Sequence, residues 1–154
     1  MKYNNTKTVV DGIKFDSLLE ASYYLTLVKR VASGKVDRFI IHPKFVISKG
    51  YIKNGKKIPP SYYVLDFQVF NSDGTVEFID TKGFATPVSK LKRKLLESQN
   101  PDIRVKWLEI NHEYGDEDGW IEKEKLQEII KKNKKDSEKW LEINGKLGKI
   151  NGTI

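Results

Sequence analysis

At 154 residues with 38% hydrophobic side chains, the chain is long enough for one domain with a real core and too short for two of ordinary size. The absence of cysteine excludes a disulfide framework and a cysteine-based zinc site, and no apolar run approaches a membrane span or a signal-peptide core, so a soluble cytoplasmic protein is expected. The net charge of +7 is uneven: residues 1–60 hold 12 Lys and Arg against four Asp and Glu, a surface suited to a polyanion but equally consistent with plain solvation.

A short basic arm from Met1 to Thr8 leads into a small hairpin around Asp11-Gly12. Asp16 or Ser17 then caps a helix in which Leu18, Ala21, Leu25, Val28 and Ala32 recur at helical spacing until Gly34 stops it. Phe39 to Ser48 and Tyr51 to Ile52 read as strands, followed by a lysine-rich Asn54-Gly55 turn carrying Lys53, Lys56 and Lys57. In the strand Tyr62 to Phe70, the period of two puts Val64, Asp66 and Gln68 on one face, so Asp66 interrupts an apolar run. The turn formers Asn71-Ser72-Asp73-Gly74 predict a hairpin into Val76 to Lys82, where Asp80 and Lys82 project side by side, roughly 7 Å apart along the chain. Thr86-Pro87 opens a second helix, expected to bury Val88, Leu91 and Leu95 and to end at Asn100-Pro101. Ile103 to Ile110 returns as a strand after a crossover long enough for a parallel neighbour. Beyond about Glu122 the chain reads as charged helix, with Leu126, Ile129 and Ile130 separated by lysines from Trp140, Leu141 and Ile143, and Gly145 to Ile154 is expected to fray. The pattern predicts an α/β protein, a mixed β-sheet flanked by helices, with a core over residues 1–111 and a charged helical C-terminal extension over 112–154.

The hairpin brings Asp66 close to Asp80. Two converging carboxylates repel each other unless a cation lies between them, and hard oxygen ligands favour Mg²⁺ or Mn²⁺. Lys82 beside such a cation can orient or help deprotonate a water, or stabilise charge on a phosphate under attack. The alternatives are plain: Asp66 as a strand-edge acid paired with lysine, Asp80 and Lys82 as a salt bridge at a strand end, and Glu20 as the closing residue of the capping box Ser17-Leu18-Leu19-Glu20. Lys90, Arg93 and Lys94 share a helix face that can grip phosphates or simply be solvated. His42 and His112 stand isolated, which argues against a histidine metal site or base, and Tyr23, Tyr24, Tyr62 and Tyr63 read as core and shoulder residues. Asp116-Glu117-Asp118 lacks the spaced ligands of a calcium loop and reads as an acidic surface loop.

With Asp66 on one strand and Asp80-Thr81-Lys82 on the next, the chain resembles the PD-(D/E)XK nuclease superfamily. Its nearest likeness is to phage endonuclease I-type Holliday junction resolvases and related small phage nucleases, through Phe15 to Glu20, Asp66-Phe67, Asp80 to Gly83 and Gln99 to Val105. Two departures are Leu65 where proline commonly precedes the first acid, and Asp80 in place of the commoner glutamate. The resemblance implies a restriction-endonuclease-like fold and Mg²⁺-dependent hydrolysis of DNA, with Mn²⁺ as a possible substitute. On it, Asp66, Asp80 and the Thr81 backbone carbonyl would hold the metal, Lys82 would position the attacking water, and Glu20 would hold a second metal or its water. Lys53, Lys56, Lys57, Lys90, Arg93 and Lys94 would meet the DNA. Branched DNA and a homodimer follow from the same likeness, in a host cytoplasm if the gene is phage-borne. A nicking or restriction-like duplex endonuclease, or a non-catalytic DNA-binding module on the same fold, is the alternative.

Overall fold

The computed structural model describes residues 6–151, with side chains through Lys146, so most of the basic arm expected at Met1 to Thr8 and the last three residues of the tail lie outside the described residues. A hairpin of β1 (Thr8–Val10) and β2 (Ile13–Phe15) turns on Asp11 and Gly12, both at positive φ. It leads into α1 (Leu18–Ala32), whose N-cap Ser17 accepts from the Glu20 amide. The central sheet has the order β11-β10-β9-β8-β3, formed by β3 (Val36–Ile41), β8 (Phe67–Asn71), β9 (Val76–Thr81), β10 (Val105–Ile110) and β11 (Trp120–Glu122). Strands β9 and β10 are parallel, joined through α2 (Pro87–Gln99), while every other pair in this sheet is antiparallel. The expected mixed α/β architecture is therefore observed.

Each face of the sheet carries its own core. On one, Tyr23, Tyr24 and Leu27 of α1 pack with Phe15, Phe67, Val69, Ile79, Leu108 and Trp120. On the other, Leu96 of α2 packs with Tyr63, Leu65, Val105 and Trp107, and with Ile47 from a two-stranded sheet of β4 (Lys44–Ser48) and β7 (Ser61–Val64). Burying aromatic and aliphatic side chains on both faces is the main stabilising term, at roughly 25 cal/mol per Å² of apolar surface removed from water. A third hairpin, β5 (Tyr51–Lys53) and β6 (Lys56–Ile58), pairs only with itself and is largely exposed.

Several local expectations differ from this structure. Tyr62 to Phe70 is not one strand: it breaks at Leu65-Asp66, β7 serving the small sheet and β8 the central one. Phe39 to Ser48 breaks likewise at His42, whose φ of 54° lies in the left-handed region, and at Pro43, which has no amide to donate. The buried stripe of α1 is Glu20, Tyr23, Tyr24 and Leu27, whereas Leu18 and Leu25 are exposed; the tyrosines offer the larger surface to bury, and they win the sheet face. In α2, Leu96 is buried while Val88 and Leu91 face outward. The helix α3 (Lys123–Asn151) runs unbroken through the lysine cluster and through Gly145 and Gly148, so the fraying expected from Gly145 is not observed up to Asn151. Among the described residues, no helix is long and apolar enough to cross a membrane.

Candidate functional site

The break at Leu65-Asp66 places Asp66 where two sheets part. Its amide donates to the Ile79 carbonyl at 3.1 Å, so the residue still closes against β9, and its own carbonyl accepts from the His42 amide at 2.9 Å. The Leu65 amide donates to the Pro43 carbonyl at 3.0 Å, which ties the two chain breaks to each other. Asp66 Oδ2 accepts from the Thr81 amide and from the Thr81 hydroxyl, both at 2.7 Å. One position back on β9, Asp80 Oδ2 accepts from the Tyr63 hydroxyl at 2.6 Å and lies 3.0 Å from Lys82 Nζ. The Tyr63 hydroxyl in turn accepts from Trp107 Nε1 at 3.3 Å, from the β10 position paired with Asp80. Lys82 is held in line because its amide donates to the Leu108 carbonyl at 2.9 Å.

Glu20 completes the group from α1. Its Oε2 accepts from the Asp16 amide at 3.1 Å, one residue before the N-cap Ser17, and its Oε1 lies 2.5 Å from His42 Nε2. Ser17 accepts from the Glu20 amide, but the Glu20 side chain ties down Asp16 instead of closing the box on Ser17, and it also sits at the site: with only 3% of its surface exposed, it is among the groups that perturb Asp66. Burial pushes the Asp66 carboxyl up to about 8, the nearby Asp80 and Glu20 carboxylates add to the rise, and the two hydrogen bonds from Thr81 only partly oppose it. The Tyr63 phenol is likewise raised, by burial and by the charge of Asp80 and the hydrogen bond to it.

These carboxyl groups fit a divalent cation in a particular way. Among the described residues, no group of three or more His, Cys, Asp or Glu side chains is arranged to hold a metal, so a closed protein cage is absent. Asp66 is lifted first by its burial and further by the Asp80 and Glu20 carboxylates, while the one lysine at the centre, Lys82, pairs with Asp80. Mg²⁺ characteristically takes one or two carboxylates and completes its shell with water and substrate phosphate, which is the donor set that Asp66, Asp80 and the Thr81 carbonyl can offer.

The structure distributes the remaining expected site residues unevenly. Lys53, Lys56 and Lys57 lie on the exposed β5–β6 arm, and Lys90 and Lys94 on the outer side of α2. Arg93 departs from the expected phosphate-facing row. Its guanidinium sits over the Trp107 ring, 4.4 Å from the centroid, and pairs with Glu97 at 3.2 Å and with Glu124 of α3. It is partly buried and links α2 to α3. His42, Tyr63 and Trp107 belong to the site although sequence reasoning set the first aside and read Tyr63 as core. The available signal was His42-Pro43 itself, a polar residue and a strand breaker inside an apolar run.

The fold and this group of side chains define a mixed α/β protein with a partly buried, lysine-flanked acidic centre at the end of two adjacent strands. The chain belongs to the DUF1064 family, described as proteins of unknown function, whose model matches residues 1–116. No curated protein and no solved structure matches the chain.

Proposed function

We propose that the protein is a metal-dependent endodeoxyribonuclease, acting on branched DNA as a homodimer. The observation that carries this reading is the Asp66 carboxyl, lifted to about 8 by burial beside Asp80 and Glu20, with Lys82 3.0 Å from Asp80. Burial and two neighbouring acids disfavour the charged Asp66 carboxylate, and a bound Mg²⁺ would favour it and would stabilise the phosphorane-like oxygens as they gain electron density. Asp66 and Asp80 would hold the ion, with Thr81 fixing the Asp66 rotamer through its two hydrogen bonds. Tyr63 keeps Asp80 in place by donating to it, and Trp107 orients Tyr63. Lys82 would position the water whose oxygen bonds to phosphorus as the bond from phosphorus to the leaving sugar oxygen breaks. Glu20, both of whose oxygens already have neighbours, would keep His42 and the start of α1 against the centre. Exposed Lys53, Lys56 and Lys57 on the β5–β6 arm supply a basic projection beyond the site, which supports a duplex or junction as substrate.

The test compares a four-way junction with a linear duplex of matched sequence, each with Mg²⁺ and with EDTA, for wild type, Asp80→Asn and Lys82→Ala. Paired, metal-dependent nicks in the junction, lost in both variants with binding retained, are expected. Cutting of both substrates would keep the nuclease and remove the junction preference, whereas binding without cutting would leave a non-catalytic DNA-binding module.

A further inference from the structure

From Arg38 to Leu65 the chain carries six cations, Arg38, Lys44, Lys49, Lys53, Lys56 and Lys57, and not one Asp or Glu. Most of that stretch is one two-stranded ribbon, with β4 and β7 paired at its base and β5 and β6 at its tip. Base and tip meet at Gly50 and Pro59-Pro60, where a Cβ on Gly50 would lie 3.0 Å from the Ile58 carbonyl oxygen and 3.2 Å from Pro60 Cδ, so the strands close tightly there. Asn54 and Gly55, at φ of 50° and 74°, close the tip in the left-handed conformation that suits a tight hairpin turn. The base is rooted at the acidic centre, since β7 carries Tyr63, which donates to Asp80, and leads directly into Leu65-Asp66.

Elsewhere the fold supplies its lysines with acids: Lys29, Lys35, Lys106 and Lys123 each lie in an ion pair. Among the described residues, Lys49, Lys53, Lys56 and Lys57 lie in none. The tip also holds apolar side chains in water, Ile52 being 75% exposed and Tyr51 52%. Strand pairing sets Tyr51 and Ile58 on one side with Lys53 and Lys56, and Ile52 with Lys57 on the other, so both sides of the tip offer apolar surface together with ammonium groups. A single row of lysines suits one phosphate strand; a two-sided tip suits a groove with a phosphate wall on each side. We infer that the β5–β6 tip enters the major groove of duplex DNA, its lysines meeting phosphates on both walls and Tyr51 and Ile52 meeting the base edges. This placement rests on the nuclease reading for its substrate and adds where the duplex lies on the protein. The major groove, about 12 Å wide, admits a two-stranded ribbon and presents thymine methyl groups to apolar side chains, whereas a minor groove of about 6 Å leaves no room beyond the ~4.8 Å between the strands themselves. Asn54 lies nine positions before Tyr63. At ~3.3 Å per residue the tip therefore reaches at most ~30 Å from the acidic centre, within about one helical turn of DNA.

The experiment measures fluorescence anisotropy of labelled duplexes in EDTA over a series of salt concentrations. One duplex is plain; in the other every cytosine carries a glucosylated 5-hydroxymethyl group, which fills the major groove without changing the charge. Wild type is expected to bind the plain duplex about tenfold tighter than the glucosylated one. The triple variant K53A/K56A/K57A should bind the plain duplex about tenfold more weakly, with a salt slope smaller by about 2–3, and should no longer distinguish the two duplexes. The triple variant K53R/K56R/K57R should keep both the affinity and the distinction, which separates lost charge from lost structure. No binding of the plain duplex by wild type, equal binding of both duplexes by wild type, or an unchanged affinity and slope in the alanine variant would overturn the placement of the tip. Cleavage of the four-way junction with Mg²⁺ is scored separately. Distinction between the duplexes without cutting removes the nuclease reading alone, and cutting by the alanine variant at the wild-type rate, with no distinction by wild type, removes the ribbon alone.

Discussion

The two ends of α1 each meet a cluster of charged residues and resolve it in opposite ways. At its C-terminal end Lys29 donates to Asp118 at 2.6 Å, Arg30 Nε to Asp118 at 3.0 Å and Arg30 Nη2 to Asp116 at 2.8 Å. Cations there also suit the negative end of the helix dipole. The Lys29 hydrogen bond, followed by that from Arg30, holds the Asp118 carboxyl below its ordinary value. At the N-terminal end Glu20 Oε1 lies against His42, Lys82 pairs with Asp80, and Asp66, beside both acids, is lifted to about 8, by burial first. The first cluster is complete: it pins the acidic loop to the helix, and with it part of the N-terminal basic excess that the charge count alone would assign to a polyanion. The second has fewer cations than acids and, under the nuclease reading, would be completed by a bound cation. A balanced set of charges thus gives a clamp in one place and an excess of acids a candidate cation site in the other, the difference being how many cations the fold brings to the acids.

Removing the acids should expose the contrast most strongly in activity. Under the nuclease reading, Asp66→Asn should lower Mg²⁺-dependent cleavage by about 10²–10³-fold or more, measured as single-turnover nicking of the junction. The same variant should gain thermal stability in EDTA at pH 8, because asparagine can still accept from Thr81 without the charge that burial and two neighbouring carboxylates penalise. Lost activity with lost stability would instead mark Asp66 as a structural acid.

The next effect is one of pH, with opposite signs for the two clusters. Asp66 has a folded value above its unfolded one, so its contribution to stability is fully present below the ordinary carboxylate value and is lost as pH rises through about 8. Asp118 has a depressed value, so its contribution is present above the ordinary value and is lost as pH falls through the depressed one. In EDTA the melting temperature should therefore decline between pH 5 and 9 in wild type and less so in Asp66→Asn. Mg²⁺ at pH 8 should restore several degrees to the wild type only. A wild-type profile that matches Asp66→Asn throughout would remove the claim that burial and its acidic neighbours raise the Asp66 carboxyl.

What was legible in the sequence follows the same division between local and long-range causes. The period of two put Asp80 and Lys82 on one side of a strand, the turn formers made the hairpin, and Thr86-Pro87 with Asn100-Pro101 bounded α2, because each is set by residues a few positions apart. The same period set Asp66 correctly against Leu65 and Phe67, both fully buried, yet missed that these two enter cores on opposite faces of the sheet. That crossing depends on pairing with β4 and β9, far along the chain. The partnership of His42 with Glu20 spans 22 positions and exists only because Pro43 and the left-handed backbone at His42 turn the chain back toward α1. Arg93 was misplaced for a similar reason. Its neighbours on α2 are solvated lysines, and the groups that claim it, Trp107 and Glu124, come from elements 14 and 31 residues away.

The smallest effects test whether the clamp is built of pairs that differ in worth. Asp118 has 8% of its side chain exposed and binds two cations, whereas Lys29 has 72% exposed and binds one carboxylate. Asp118→Ala should cost about 1–2 kcal/mol, since it strands the largely buried Arg30 with Asp116 alone. Lys29→Ala should change stability by no more than about 0.5 kcal/mol, because water and salt already screen an exposed ammonium and ordering its long side chain offsets the gain. Urea melts at 50 mM and 500 mM salt separate the two: the Asp118 cost should persist at high salt and the Lys29 cost should vanish. If the two substitutions cost the same, the shared carboxylate rather than Arg30 organises the clamp, and the acidic loop would be held by surface attraction instead of by a buried fork.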